Sequence, residues 1–180
     1  MALQDQNLVL SSAQAITASA ASTNTYDALL GTTVTTTYVA YTAAPAIWGN
    51  ATYFGEDLGL GRGVGTPSVE VFSGTGTPAT ATSLQIGLQG APDAGGTTVS
   101  GLTFTIYAET GAIPLASILA SIRLAQFDLP RRQAGLALPR FYQVYYTVGG
   151  SNFTGLTVTA YINLGGTSAQ SSLGQYPANY

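Results

Sequence analysis

The chain has no cysteine, no histidine and no lysine; its five basic residues are all arginine, at Arg62, Arg123, Arg131, Arg132 and Arg140. Without cysteine there is no disulfide and no thiolate metal site. Without histidine or lysine the many serines and threonines have no nitrogen base beside them, so nucleophilic chemistry would have to run on carboxylates alone. Charge of either sign is scarce. Only 7% of the 180 residues are charged, against about 25% in an ordinary domain. A net charge of −3 and no basic patch leave nucleic-acid binding without its electrostatic footprint. No run approaches the 18 apolar residues of a membrane-crossing helix. The first ten residues have neither a positive segment nor a long apolar one, and so do not read as a signal peptide.

What is present is Thr, Ser, Gln, Asn, Gly and Ala, with 11 tyrosines. A protein that lives alone normally keeps itself dispersed with surface charge. A neutral polar surface rich in Tyr instead suits close packing against other protein, because interface cores are poor in charge and rich in aromatics. The length fits one domain, able to bury about 70% of its extended surface.

Residues 139–164 carry the strongest pattern. Tyr142, Val144, Tyr146 and Val148 share one face of a run with period two; Leu156, Val158, Ala160, Ile162 and Leu164 share one face of a second. Period two is the signature of half-buried strands. The Gly-rich segment between the runs predicts that they form a hairpin, the last of the domain. Earlier strands are predicted in 31–42, at 68–73, at 83–89 (Leu84, Ile86 and Leu88 inward) and at 102–108 (Leu102, Phe104 and Ile106 inward). Residues 74–82 read as turn and linker, and 115–124 fit a strand or a helical turn equally well. Short strands, Gly/Pro turns and little helix predict an all-β, jelly-roll-like antiparallel sandwich with extended N- and C-terminal arms. The arms are residues 1–25 and 165–180; the domain is 26–164 and includes a long loop at 43–65, a length that usually signals function.

Candidate chemistry is sparse. Arg62 lies among Gly59, Gly61, Gly63 and Gly65, but no helix follows to present amides to a phosphate, so the segment reads as a loop. Glu56 and Asp57 are adjacent and read as solvated; a calcium site needs about six to eight oxygens, and a carboxylate-pair hydrolase needs two facing acids. No catalytic, cofactor or metal residue is predicted. Contact residues are: Trp48, Tyr53 and Phe54 in the long loop, as aromatic anchors; Arg131 and Arg132, suited to bidentate pairing with carboxylates; Tyr176 and Tyr180 in the tail; and Leu8 in the N-terminal arm.

Three segments together resemble the capsid cement (decoration) proteins of tailed bacteriophages, of the Bordetella-podophage type. They are 8–27 (LVLSSAQAITASAASTNTYD), 84–93 (LQIGLQGAPD) and 140–154 (RFYQVYYTVGGSNFT) with the TVTA that follows. The last is the most specific; the long 43–65 loop lies outside the resemblance. The resemblance implies a jelly-roll virion protein without enzymatic activity on the outer capsid surface. Its partners would be the major capsid protein and other copies of itself, as a dimer or trimer, with no nucleic acid and no membrane. The alternative is a jelly-roll glycan-binding module serving host attachment.

Overall fold

Alternating side chains settle which residues form strands here, and the packing of two sheets decides how they pair. The computed structural model describes residues 8–28, 32–38, 67–92, 96–129 and 139–163. Its strands are β1 (Val9–Ala15), β2 (Ala20–Ala21), β3 (Thr25–Asp27), β4 (Thr32–Val34), β5 (Ser68–Ser73), β6 (Ala79–Ala91), β7 (Thr105–Glu109), β8 (Ile113–Pro114), β9 (Arg123–Asp128), β10 (Phe141–Thr154) and β11 (Thr157–Asn163). All pairings are antiparallel. One sheet runs β1-β11-β5-β9 and the other β4-β3-β10-β6-β7, with β2 also paired to β10 and β8 to β6.

The two sheets share one core. Leu10, Val69, Val71, Val158, Ala160 and Ile162 enter it from the four-stranded sheet; Tyr26, Leu84, Ile86, Leu88, Tyr142, Val144 and Tyr146 enter from the other. The inward faces read from sequence for 83–89, for 142–146 and for 156–162 are the buried ones. Along β10 and β6 these residues sit directly opposite one another, Val144 against Leu88 and Tyr146 against Ile86, so apolar cross-strand pairs zip the inner face. Polar contacts also join the two sheets: Ser11 of β1 and Tyr146 of β10 share a buried hydrogen bond of 3.0 Å, and Gln14 Nε2 of β1 donates to the carbonyl of Ala21 in β2 at 2.8 Å.

The expected last hairpin does not form. β10 and β11 follow each other directly but belong to different sheets. Each run has one apolar face, and both faces are buried when the strands oppose each other across the core rather than lie side by side. The crossing occurs at Gly155, where φ is +74°, a conformation that a side chain disfavours by about 1–2 kcal/mol. A Cβ there would stand 2.8 Å from the carbonyl oxygen of Thr77. Gly155→Ala is therefore expected to destabilise the fold by about 2 kcal/mol or more, read as a lowered urea midpoint with unchanged slope. Gly149 and Gly150, which read as the hairpin turn, lie within β10 where its register to β6 shifts. Glycine inside a strand marks such irregularities.

Three further expectations change. Residues 8–25 are not an arm. β1 is an edge strand of the four-stranded sheet, β2 and β3 pair with β10, and Leu8, Leu10 and Ile16 are core residues. Residues 79–82 extend β6 rather than forming a linker. In 102–108 the alternation is real but faces outward. Ile106 pairs with Gln89, which is on the outer face and bonded to Gln143. Leu102 and Phe104 pack instead on a second cluster of Tyr38, Ala91 and Phe141. The ambiguous 115–124 segment is a 3-10 turn at Leu115–Ser117 followed by the start of β9. The 43–65 loop and the 165–180 tail lie outside the described residues.

Candidate functional site

Of the charged side chains among the described residues, Asp27, Glu70 and Arg140 are buried, while Glu109, Arg123 and Asp128 are exposed. The buried ones lie on the outer faces of the two sheets, one group on each.

On the seven-stranded sheet, Asp27 ends β3 and Arg140 immediately precedes β10, and the pairing of Asp27 with Phe141 brings them together. The contact is a bidentate fork. Arg140 Nε donates to Asp27 Oδ1 at 3.0 Å and Nη2 donates to Oδ2 at 2.6 Å, with the two side chains 7% and 0% exposed. The guanidinium also lies over the rings of Phe141, at 4.6 Å, and Tyr38, at 5.1 Å. These rings meet each other at 4.4 Å and 48°. Planar charge, fork geometry and ring stacking are what arginine offers and lysine does not. Tyr38 is carried there by the 32–38 segment. Its amide donates to the carbonyl of Thr97, and Thr37 bridges Thr98. The arrangement fastens this segment over the sheet. Beneath it, Tyr26 is pushed above its ordinary pKa, first by burial and then by the charge of Asp27.

On the four-stranded sheet, the carboxylate of Glu70 accepts from Asn163 Nδ2 at 2.9 Å and from the Tyr161 hydroxyl at 3.3 Å. Half-exposed Arg123 lies 3.8 Å away. Tyr161 stacks on Phe72 with ring centres 5.7 Å apart and planes within 4°. Both buried carboxylates are thus held by donors of their own chain. Among the described residues no three His, Cys, Asp or Glu side chains come together as a metal site would require.

The exposed charged side chains of the described surface are Glu109, Arg123 and Asp128. Its large exposed apolar side chains are Ile106 at 57%, Tyr107 at 45% and Leu119 at 61%. The first two are consecutive on β7, the end strand of the seven-stranded sheet.

The chain matches no protein-family model and no curated protein. The site must therefore be argued from its own residues. Of those singled out in the sequence, Leu8 is a core residue and does not offer its side chain to a partner. Trp48, Tyr53, Phe54, Arg131, Arg132, Tyr176 and Tyr180 lie outside the described residues, as do Glu56, Asp57 and Arg62. Sequence reasoning missed the Asp27–Arg140 pair. Its one signal was the improbability of two opposite charges at the ends of apolar strands in so uncharged a chain. It also missed the exposure of Ile106, since alternation says which residues share a face but not which face is buried.

Proposed function

We propose that this protein is a structural component of a bacteriophage virion, binding the outside of the capsid and stabilising it by bridging major capsid protein subunits. The observation that carries the reading is the scarcity of charge, 7% of the residues. Across the described residues the exposed charged side chains are Glu109, Arg123 and Asp128. A chain so poor in charge suits permanent burial against protein better than free solution.

The sheet topology supports the same reading. Leaving aside β2, β4 and β8, the other eight strands in chain order form one sheet as first-eighth-third-sixth and another as second-seventh-fourth-fifth. Such an order is compatible with a jelly roll, an architecture of viral capsid and lectin domains. The sequence resemblance to cement proteins points the same way.

The mechanism is mass action. A protein that binds only the assembled shell stabilises it by RT ln(1 + [L]/Kd) per site, about 2.7 kcal/mol at a free concentration of 100 Kd. Repetition over a particle makes the sum large even where each contact is modest. Purified protein is expected to re-bind shells stripped of it, saturably, in co-sedimentation, and to raise the temperature at which packaged DNA is released. Shells that release DNA at the same temperature with and without saturating protein would overturn the proposal.

A second reading, a glycan-binding module, is favoured by the parallel Phe72–Tyr161 rings on the outer face of the four-stranded sheet. Sugar rings stack on such surfaces. Folded protein that ignores stripped shells but binds on a glycan array, and loses that binding with Tyr161→Ala, would favour it over the first.

A further inference from the structure

We infer that the edge of β7, which no described strand covers, pairs with β7 of a second copy of this chain, as two antiparallel strands related by a two-fold axis at Ile106. β7 ends the seven-stranded sheet, and no described strand lies beyond it. Monomeric proteins guard such an edge with lysine, proline or inward charge, because its unpaired N–H and C=O groups are a template for another strand. β7 reads Thr-Ile-Tyr-Ala-Glu; its one charge is at the C-terminal end, and its centre is two exposed large apolar side chains.

The other edge strands differ. β1 is broken by two register shifts, with Ala13 at a φ of +47°. β4 has three residues, and β9 begins with Arg123 and ends with Asp128. Among the described edge strands, only β7 carries exposed large apolar side chains.

The occupant is a second copy because the strand complements itself. With the axis at Ile106, Ile106 meets Ile106 of the other copy, and Tyr107 covers its Thr105. Glu109 faces neutral Thr103, so the two carboxylates stay far apart. Opposed residues also point to the same face of the joined sheet, as pairing demands. The bulge between β6 and β7 at Leu88/Gln89 limits this register to a few residues. A pairing of a few residues per copy is smaller than a standard interface of roughly 800 Å² per partner, so the dimer is expected to be weak, with Kd between about 10 µM and 1 mM. Copies held side by side on a surface would meet at effective concentrations above that range.

The test uses the full chain alone, so its outcome is independent of any shell. The chain has no cysteine, which makes a single introduced thiol an unambiguous reporter. Opposed residues in an antiparallel pair have Cβ atoms about 4.5–5.5 Å apart, close to disulfide range. Under mild oxidation Ile106→Cys is expected to give at least about tenfold more linked dimer than Leu119→Cys, an equally exposed site off the strand. Sedimentation velocity of the unmodified chain should show reversible dimer at hundreds of micromolar, and Ile106→Lys should weaken it at least about tenfold. Ile106 is solvent-exposed, so neither variant threatens folding. Equal crosslinking at the two sites, or a chain that stays monomeric to about 1 mM, would overturn the inference.

Discussion

Above about pH 10 the stability of this protein is expected to fall by about 4 kcal/mol for each further pH unit. The cause is three tyrosines of the shared core, Tyr26, Tyr142 and Tyr146, all at 0% exposure. Each is pushed above its ordinary value of 10.0, chiefly because burial strips water from the phenolate. For Tyr26 the charge of Asp27 adds to this, for Tyr142 the neighbouring Tyr107 and Tyr26 do, and for Tyr146 the hydrogen bond to Ser11 works weakly against it. Below pH 10 these groups are neutral in both folded and unfolded chains, and their contribution is intact. As pH rises further, the unfolded chain releases three protons that the native one retains. Each retained proton lowers the unfolding free energy by about 1.4 kcal/mol per pH unit. A domain of ordinary stability, about 5–15 kcal/mol, would unfold within a few pH units of that threshold. Urea melts at stepped pH would show it. Tyr142→Phe should remove about a third of the slope, because a phenyl ring has no proton to lose. A slope unchanged by the triple Phe substitution would refute the mechanism.

Asp27→Asn and Arg140→Met are each expected to destabilise the protein by about 3–5 kcal/mol, because each strands a buried charge of opposite sign. The bidentate fork and the two rings around the guanidinium hold that charge away from water. Arg140→Lys should lose most of this as well, since an ammonium cannot fork onto both oxygens or stack on the rings of Phe141 and Tyr38. The double substitution Asp27→Leu with Arg140→Met leaves no charge to strand and should recover much of the loss, as replacing a buried pair by apolar residues often does. The double-mutant cycle separates the two contributions. Singles within about 1 kcal/mol of the parent would mean that the pair is solvated in practice. A second readout is local. If the pair fastens the 32–38 segment, Arg140→Met should raise hydrogen exchange at the Tyr38 amide, which donates to Thr97, more than at core amides of β10.

The all-β class and the inward residues of the long strands were legible because alternation is a local property. The period-two runs at 83–89, 142–146 and 156–162 show it, and those side chains are buried where the pattern put them. Pairing was not legible. The same apolar faces on β10 and β11 suit a hairpin or two opposed sheets, and the core they share with Tyr26, Leu84 and Val69 decides for the second. Register was equally hidden at 102–108, where the shift opposite Leu88/Gln89 sends Ile106 outward.

By itself, then, the sequence determined which side chains this protein lacks, its strand content and its scarcity of charge, all of which follow from residue type and local period. The tertiary structure alone decided which strands are neighbours, that residues 8–25 belong to the sheets, that Asp27 and Arg140 meet, and that Ile106 and Tyr107 lie bare on an end strand. Those facts join positions as distant in sequence as Val9 and Tyr161, paired between β1 and β11, and no local pattern encodes a contact made only when two sheets close on a common core.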